Sequence, residues 1–220
     1  MFKIAHIADL HIRGLTRHEE MRVCFERFYE KCRTEKVDFI FIGGDIFHTK
    51  TRGITPEFID WMNWWLTSMS QIAPVHMILG NHDGNLSNVD RQDAISPIVA
   101  ALALPNVFLY KKSGVYEFAP GWNWCVFSLF DEEGWETVKP VKGAINIACF
   151  HGAIRGAVTD MNFEFEGDTT AAYFKDYDFV MLGDIHRFQF LDIREYETII
   201  DEKDLHLYPD AEIIEEFYEE

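Results

Sequence analysis

The sequence lacks the features of a secreted or membrane-bound protein. It contains no apolar run of the roughly 20 residues that a membrane helix needs. The opening Met1–Ala5 has none of the basic, apolar and small-residue regions of a signal peptide. The four cysteines form no Cys-x-x-Cys pair, and each lies within an apolar pattern. We therefore expect a cytoplasmic protein that does not associate with membranes and whose cysteines are reduced core residues.

Internal repeats, low-complexity segments and an excess of basic residues are also missing. The net charge is −17 over 220 residues, which counts against a simple nucleic-acid binder. Metal-binding carboxylates would contribute to this charge, and bound divalent cations would partly neutralise it, so a DNA substrate is not excluded. Residues 201–220 hold nine acidic side chains and one lysine. We predict one folded domain over residues 1–200 and an acidic C-terminal tail over 201–220.

Apolar periodicity predicts alternating strands and helices, followed by a run of strands with little helix between them. This order indicates an α/β fold in which a mainly parallel sheet, flanked by helices, packs against a second sheet. The predicted helices lie at 18–35, from Pro56 onward, and at 91–103. The predicted strands lie at Lys3–Ala8, Val37–Ile42, Pro74–Leu79, Val107–Tyr110, Val115–Phe118, Trp124–Leu129, Ile145–Phe150, Phe179–Leu182 and Phe188–Leu191.

Polar residues follow five of these strands. The five segments are Asp9-Leu10-His11, Gly43-Gly44-Asp45-Ile46-Phe47-His48, Gly80-Asn81-His82-Asp83, Phe150-His151-Gly152 and Gly183-Asp184-Ile185-His186. Ligands of open α/β sheets bind beyond the carboxyl ends of the strands, so these side chains are expected to converge. Each segment alone is typical of a turn, a cap or a core histidine. Their joint occurrence, in order and at strand ends, favours a functional site.

The donor types in these segments suit a pair of metal ions. Carboxylate and amide oxygens bind hard cations and imidazole binds transition metals, which favours manganese, iron or zinc over calcium. Two metals about 3.5–4 Å apart need a bridging ligand, and a carboxylate serves this purpose. Asp45, at the end of a central strand, is the candidate bridge.

These motifs resemble those of the calcineurin-like metallophosphoesterase superfamily, over roughly residues 1–190. Within that superfamily the chain is most similar to the SbcD-type nuclease subunits, which serve double-strand-break repair and recombination in bacteria and phages. The segments that carry the resemblance are Gly43–His48, the downstream Pro56, Gly80–Asp83 and His151–Ala157. The resemblance implies the two-sheet sandwich of metallophosphoesterases, with the metal site at the carboxyl ends of the strands.

The resemblance also implies the ligands of two divalent ions. The first ion would be held by Asp9, His11 and His186. The second would be held by Asn81, His151 and Asp184, and Asp45 would bridge the two. Manganese is the predicted metal, with magnesium, iron and zinc left open.

Three further residues carry catalytic roles by the same resemblance. His82 would face the scissile phosphate and stabilise or protonate the leaving oxygen. Asp83 is its expected orienting partner, and His48 is expected to contact the substrate or support the ligands. Separately, arginines near the motif loops could form a rim that contacts phosphates. The candidate substrate-binding residues are Arg13, Arg52, Arg155 and Arg187.

Two features depart from the SbcD type. The last motif is normally Gly-His-x-His, but Asp184 replaces the first histidine, and its added negative charge should favour harder metals. The chain also continues only briefly after His186. The DNA-capping domain and the segment that binds the ATPase partner are therefore expected to be absent or truncated.

The resulting functional prediction is a dinuclear-metal DNA nuclease, acting as an exonuclease, an endonuclease or both. Its expected partners are DNA, an SMC-like ATPase subunit of the SbcC type and a second copy of the chain. The homodimer is also suggested by Trp61 and Trp64, which the helical pattern places off the inner face. Two alternatives stay open: a phosphatase or phosphodiesterase acting on a small or protein phosphoester, and a DNA-binding subunit with weak or no catalytic activity.

Overall fold

The structure is a computed structural model that describes residues 2–48, 53–159, 162–167 and 169–186. The predicted strand Phe188–Leu191 and the acidic tail lie outside these ranges. Within the described residues, helices α1, α2 and α3 span His18–Glu35, Pro56–Ser70 and Ser96–Leu102. The strands β1 to β8 are Ile4–Ile7, Phe39–Ile42, Val75–Ile78, Val107–Tyr110, Gly114–Ala119, Trp122–Phe127, Ile145–His151 and Phe179–Gly183.

The strands form two four-stranded sheets. The first has the order β1-β2-β3-β4 and is parallel throughout. The second has the order β5-β6-β7-β8, in which only β5 is antiparallel to its neighbour. Within each sheet, the strands that precede a predicted site segment thus run parallel to one another, which places their carboxyl ends at one edge of that sheet.

Successive side chains of a strand point to opposite faces of its sheet, and this divides the core into three layers. On β2, Ile40 and Ile42 face the helices, whereas Phe41 faces the second sheet. On β6, Trp124 packs between the sheets and Phe127 packs on the outer face of the second sheet. The short 3-10 helices Glu132–Thr137 and Ala171–Phe174 contribute side chains to this outer layer of the second sheet. The predicted α/β fold, a two-sheet sandwich flanked by helices, is confirmed.

Helix α3 begins five residues later than predicted. The Asp93 carboxylate accepts hydrogen bonds from the backbone N–H groups of Ile95 and Ser96, at 2.9 and 2.6 Å. Pro97 then lies in the first turn, where a missing N–H costs nothing. The segment before Ser96 is therefore held as a capping turn, although its apolar spacing resembles a helix.

The tryptophan prediction for α2 is wrong at Trp61, which is only 1% exposed. Its ring packs against Phe25 of α1 and against Trp65, at centroid distances of 5.7 and 5.5 Å. Trp64 is half-buried beneath the Arg22 guanidinium, 4.4 Å from the ring centroid. The packing of α1 on α2 widens the buried face of α2, so these side chains no longer indicate an exposed patch.

Two expectations about compartment can be compared with the structure. The cysteines are free, and Cys32, Cys125 and Cys149 are buried, but Cys24 is exposed and is not the predicted core residue. Cys24 lies on the outer face of α1, between the buried positions of that helix. No helix among the described residues combines the length and the apolar character needed to cross a membrane.

Candidate metal centre

Four of the predicted ligands have left-handed backbone conformations. The φ angles of Asp9, His11, Asp45 and Asp184 are 57°, 46°, 51° and 71°. Aspartate and histidine adopt this region more readily than most residues, but each still costs of order 1 kcal/mol or more. The chain therefore turns sharply at the end of each strand, and this turn directs the side chains across the edge of the sandwich.

Asp45 lies at the centre of the cluster and is 1% exposed. Its Oδ1 accepts the backbone N–H of His82 at 2.8 Å and lies 3.3 Å from His151 Nε2. Its Oδ2 lies 3.7 Å from His11 Nε2 and 3.9 Å from His82 Nε2. Oδ2 is buried and has no hydrogen-bond partner. A buried carboxylate oxygen in this state is costly unless a cation or donor binds it.

The three residues predicted to hold the first ion are brought together. Asp9, His11 and His186 each offer a ligand atom, and these atoms lie within 4.8 Å of one another. His11 Nε2 and His186 Nε2 are 3.4 Å apart. A second group of the same kind consists of His11, Asp45 and His82, so Asp45 shares His11 with the first group.

On the other side of Asp45 lies His151, which is fully buried. Its Nδ1 hydrogen-bonds the Gly43 carbonyl at 2.7 Å, which leaves Nε2 directed at the carboxylates, as in metal-binding histidines. Asp9, Asp45 and His151 form a third ligand group. His151 Nε2 also lies 4.0 Å from Asp184 Oδ1.

The remaining predicted ligands, Asn81 and Asp184, lie in the loops that follow β3 and β8. Asn81 lies directly before His82, whose backbone N–H donates to the Asp45 carboxylate. The side-chain oxygen of Asn81 is buried. The Asp184 N–H donates to both carboxylate oxygens of Asp9, at 2.9 and 3.1 Å. This contact joins the end of β8 to the end of β1, so the two sheets share the site.

The structure differs from the sequence prediction at Asp83. This carboxylate is fully buried and does not orient His82. Its two oxygens accept the backbone N–H groups of Phe47 and Gly80, at 2.8 and 2.9 Å. Asp83 thus ties the loop after β2 to the loop after β3.

His82 is oriented by a main-chain group instead. Its Nδ1 hydrogen-bonds the carbonyl oxygen of His48 at 2.8 Å, and its ring packs edge-on against His11 at 4.8 Å. The His48 ring lies 5.8 Å from His11 and 6.5 Å from His82. No sequence signal identifies the carbonyls of Gly43 and His48 as histidine partners, because every residue carries one.

The predicted arginines are less closely tied to the cluster. Arg13 is exposed and lies two residues after His11. Arg155 is exposed, and its Nε donates to the Gly167 carbonyl at 2.7 Å within its own loop. Arg52 and Arg187 lie outside the described residues.

Burial and mutual charge perturb the protonation of the cluster. Burial raises the pKa values of Asp9 and Asp184 and lowers that of His11 to about 4. Burial also disfavours ionisation of Asp45 and His151, but each stabilises the charge of the other. The pKa of Asp45 is therefore lowered, and that of His151 is raised to about 9. A proton on His151 therefore offsets part of the negative charge of the surrounding carboxylates.

Divalent ions fit this donor set. They would replace imidazole protons, favour ionised carboxylates and satisfy the orphaned Asp45 Oδ2. The backbone at Gly44 lies close to the His151 ring. Gly44 has φ +97°, and a Cβ there would lie 2.6 Å from His151 Nδ1. The loops therefore leave space for ligand atoms but not for additional side chains.

Comparison with known proteins gives a family and two similar chains. The calcineurin-like phosphoesterase family matches residues 2–197. Uncharacterized protein R555 of Acanthamoeba polyphaga mimivirus is 39% identical over 213 residues, which cover 89% of this chain but only 15% of that protein. A crystal structure of Pseudomonas putida nuclease MPE aligns with a TM-score of 0.41 at 17% identity, covering 73% of this chain and 66% of that one.

Proposed function

Because the chain belongs to the calcineurin-like phosphoesterase family, we propose that it hydrolyses phosphodiester bonds of DNA with two divalent metal ions. Metal-dependent phosphoester hydrolysis is the general activity of this family, and the candidate ligand groups suit it. The DNA substrate and a role in repair or recombination form the proposal.

The observation that carries the proposal is the shared position of Asp45. Its carboxylate shares ligand groups with Asp9 and His11, predicted ligands of one ion, and with His151, a predicted ligand of the other. A buried carboxylate with one unpartnered oxygen between two sets of donors has the properties of a bridge between ions.

The predicted ligands divide between the ions around this bridge. Asp9, His11 and His186 would hold one ion, and His151, Asn81 and Asp184 the other. When bound, such a pair of ions neutralises charge on a phosphoryl group and supplies a nucleophile from water near neutral pH.

His82 is placed to move a proton. With Nδ1 hydrogen-bonded to the His48 carbonyl, a protonated ring presents Nε2–H towards the cluster. Its side chain is 46% exposed, so a bound phosphodiester can reach it. We assign His82 to protonating the leaving oxygen, a general-acid role that histidine side chains commonly take.

An accessible cluster favours a substrate that extends beyond the reacting phosphate. Side chains of His11, His82 and Asp184 reach solvent at one edge of the sandwich. The exposed guanidinium groups of Arg13 and Arg155 follow His11 and His151 along the chain. A polymer lying across this edge would place neighbouring phosphates near these cations.

The test is hydrolysis of end-labelled duplex and single-stranded DNA with added manganese, beside a generic phosphodiester. The variant His82→Asn should lose at least 10²-fold in rate, since general-acid catalysis contributes about that much. The matched control His18→Asn alters a histidine that bonds the Arg13 carbonyl and contacts the Trp61 ring but belongs to none of the ligand groups found among the described residues, and it should stay active.

Each other outcome has a defined meaning. Turnover of the generic ester with intact DNA would replace the nuclease proposal by a phosphatase or phosphodiesterase. Inactivity on both substrates with retained DNA binding would support the non-catalytic subunit.

Manganese is the proposed native metal, because Asp184 adds a hard oxygen donor where the resembled nucleases have histidine. We expect manganese or magnesium to support higher rates than zinc. The variant Asp184→His should shift this preference towards zinc. Hydrolysis rates with manganese, magnesium, iron and zinc would measure the shift. An unchanged order of metals would contradict the role of Asp184.

From the sequence resemblance we further propose a homodimer and an SMC-like ATPase partner of the SbcC type. Light scattering at micromolar concentration measures the first, and co-purification with a candidate ATPase measures the second. A monomer at all concentrations would remove the dimer from the proposal.

A further inference from the structure

Three consecutive carbonyl groups of the loop after β1 accept hydrogen bonds from three different elements. The bonds run from the His48 N–H to Ile12, from His18 Nε2 to Arg13 and from the Thr55 hydroxyl to Gly14, at 3.0, 2.5 and 2.5 Å. His48 lies in the loop after β2, His18 begins α1, and Thr55 caps α2. We call residues 12–15 the clamped loop. Its backbone stays attached at two points if one of these bonds is lost.

The clamped loop begins beside the metal centre. His11, a candidate ligand, directly precedes it, and the His11 N–H donates to the Asp45 carbonyl at 2.9 Å. Ile12 is buried in the helix-side core, whereas Arg13 is exposed. The Cα atoms of His11 and Arg13 can be at most about 7 Å apart, because only two residues separate them along the chain. The loop therefore holds a cation at the rim of the metal centre.

The Arg13 guanidinium is not engaged by the fold. Within the described part of the chain it forms no ion pair, whereas Arg17 pairs with Glu20 at 2.6 Å and the Arg155 Nε donates to the Gly167 carbonyl. A side chain on a fixed backbone loses less conformational freedom on binding than one on a mobile loop. Arg13 is therefore a cation that is available to an anion held at the metal centre.

Two aliphatic side chains are exposed at the same place. Leu15 is 68% exposed and Ile54 is 39% exposed. Leu15 follows Gly14 and Ile54 precedes Thr55, and the hydrogen bond between Gly14 and Thr55 brings the two aliphatic residues to adjoining parts of the surface. Single exposed aliphatic residues are ordinary, but here two of them adjoin an unpaired arginine. Such a surface suits a ligand that is anionic at one point and largely apolar at the next.

We propose that the clamped loop binds the nucleotide that adjoins the scissile phosphate of a polynucleotide. Arg13 would contact the phosphate next to the scissile one, and Leu15 and Ile54 would pack on the sugar and base between the two. A small phosphoester lacks both the second phosphate and the intervening nucleoside. This binding site rests on the DNA hydrolysis proposed above and deepens it, because efficient substrates then carry at least two neighbouring phosphates.

The experiment compares short thymidine oligonucleotides in the manganese assay. The dinucleotide has one phosphodiester and the trinucleotide has two. Two further trinucleotides carry a neutral methylphosphonate at one linkage, so they keep all three nucleosides but only one charge. The wild type should show kcat/KM at least about fivefold higher for the unmodified trinucleotide than for the dinucleotide or either methylphosphonate, which is the effect of one exposed charge contact.

Variants locate the contact. Arg13→Gln should remove the preference for the trinucleotide and, on a longer single strand, flatten the slope of log(kcat/KM) against log[salt] by about 0.7, the value for one phosphate. Arg13→Lys keeps the charge and should restore the slope. Leu15→Ser should raise KM about threefold or more without changing the slope. The matched controls are Arg33→Gln, in the last turn of α1, and Val23→Ser, which alters a 51% exposed aliphatic residue of α1; both should behave as the wild type.

Three results would overturn the clamped-loop contact while leaving DNA hydrolysis in place. The wild type could cleave the dinucleotide and the trinucleotide equally well, or Arg13→Gln could slow both by the same factor. A salt slope that Arg13→Gln leaves unchanged would likewise exclude a phosphate contact. Failure of the proposed function gives a different result, because the wild type would then cleave none of the oligonucleotides, and the contact would fail with it.

Discussion

Replacing Asp83 by asparagine should weaken both the fold and the metal centre. The carboxylate is fully buried and accepts one N–H from Phe47 and one from Gly80. Asparagine keeps one acceptor oxygen but turns an NH₂ group towards the second N–H. One buried backbone donor is then left unsatisfied, at a cost of about 1–3 kcal/mol. Because the two loops carry Asp45 and His82, their separation should also lower the affinity for metal.

The assay pairs urea unfolding with calorimetric titration of manganese. The matched control is Asp38→Asn, since the Asp38 carboxylate also accepts one backbone N–H, from Lys3 at 2.8 Å, but at the opposite end of β1 and β2. The control should lose about 1 kcal/mol or less, because its site is exposed, and should bind manganese normally.

The result that would refute this reasoning is a variant with lowered stability but unchanged manganese affinity, measured where it remains folded. Asp83 would then be an ordinary buried acceptor with no part in positioning the ligands. Wild-type stability in Asp83→Asn would contradict the assigned hydrogen bonds themselves.

Two further predictions concern the metal centre and the buried ring of His76. Gly44→Ala should abolish manganese binding, because its Cβ would lie 2.6 Å from His151 Nδ1; Gly121→Ala, with a similar positive φ and no atom within 4 Å, should cost only stability and bind manganese in the same titration. His76, with its pKa lowered to about 4, is neutral in the fold. Its contribution to stability is complete above pH 6.5 and is lost as the pH falls from 6.5 to 4, a loss of about 3 kcal/mol. Urea unfolding across this range should therefore show a smaller pH dependence in His76→Phe than in the wild type, and equal slopes would contradict the buried neutral ring.

The strand-end residues could be predicted because chemistry and topology coincide there. Asp9 and Asp45 follow apolar strands and His151 ends one, and parallel strands carry their carboxyl ends to one edge of a sheet. The order of the motifs and the rhythm of strands and helices therefore indicated both the fold and the residues that meet.

Interactions made by the backbone could not be predicted. The carbonyl of His48 orients His82, and the N–H of Asp184 holds Asp9, but neither group depends on the identity of its residue. Asp83 was predicted to orient His82 because they are neighbours in sequence. Its burial against Phe47 depends on how two loops approach, which a linear pattern does not contain.

Tertiary packing also determined features that periodicity misplaced. Trp61 lies off the predicted inner face of α2, yet α1 covers it. His76 reads as an ordinary residue of an apolar strand, and only the meeting of two sheet ends places it among five other rings. Both depend on contacts between elements far apart in the chain.

The central claim is that the strand-end cluster holds two divalent ions joined by Asp45. The most direct measurement is titration of the metal-free chain with manganese, followed by electron paramagnetic resonance. The account predicts two ions per chain with the spectrum of a coupled pair, and loss of that coupling in Asp45→Asn but not in Asp38→Asn. A single uncoupled ion, or a coupled pair that survives Asp45→Asn, would contradict it.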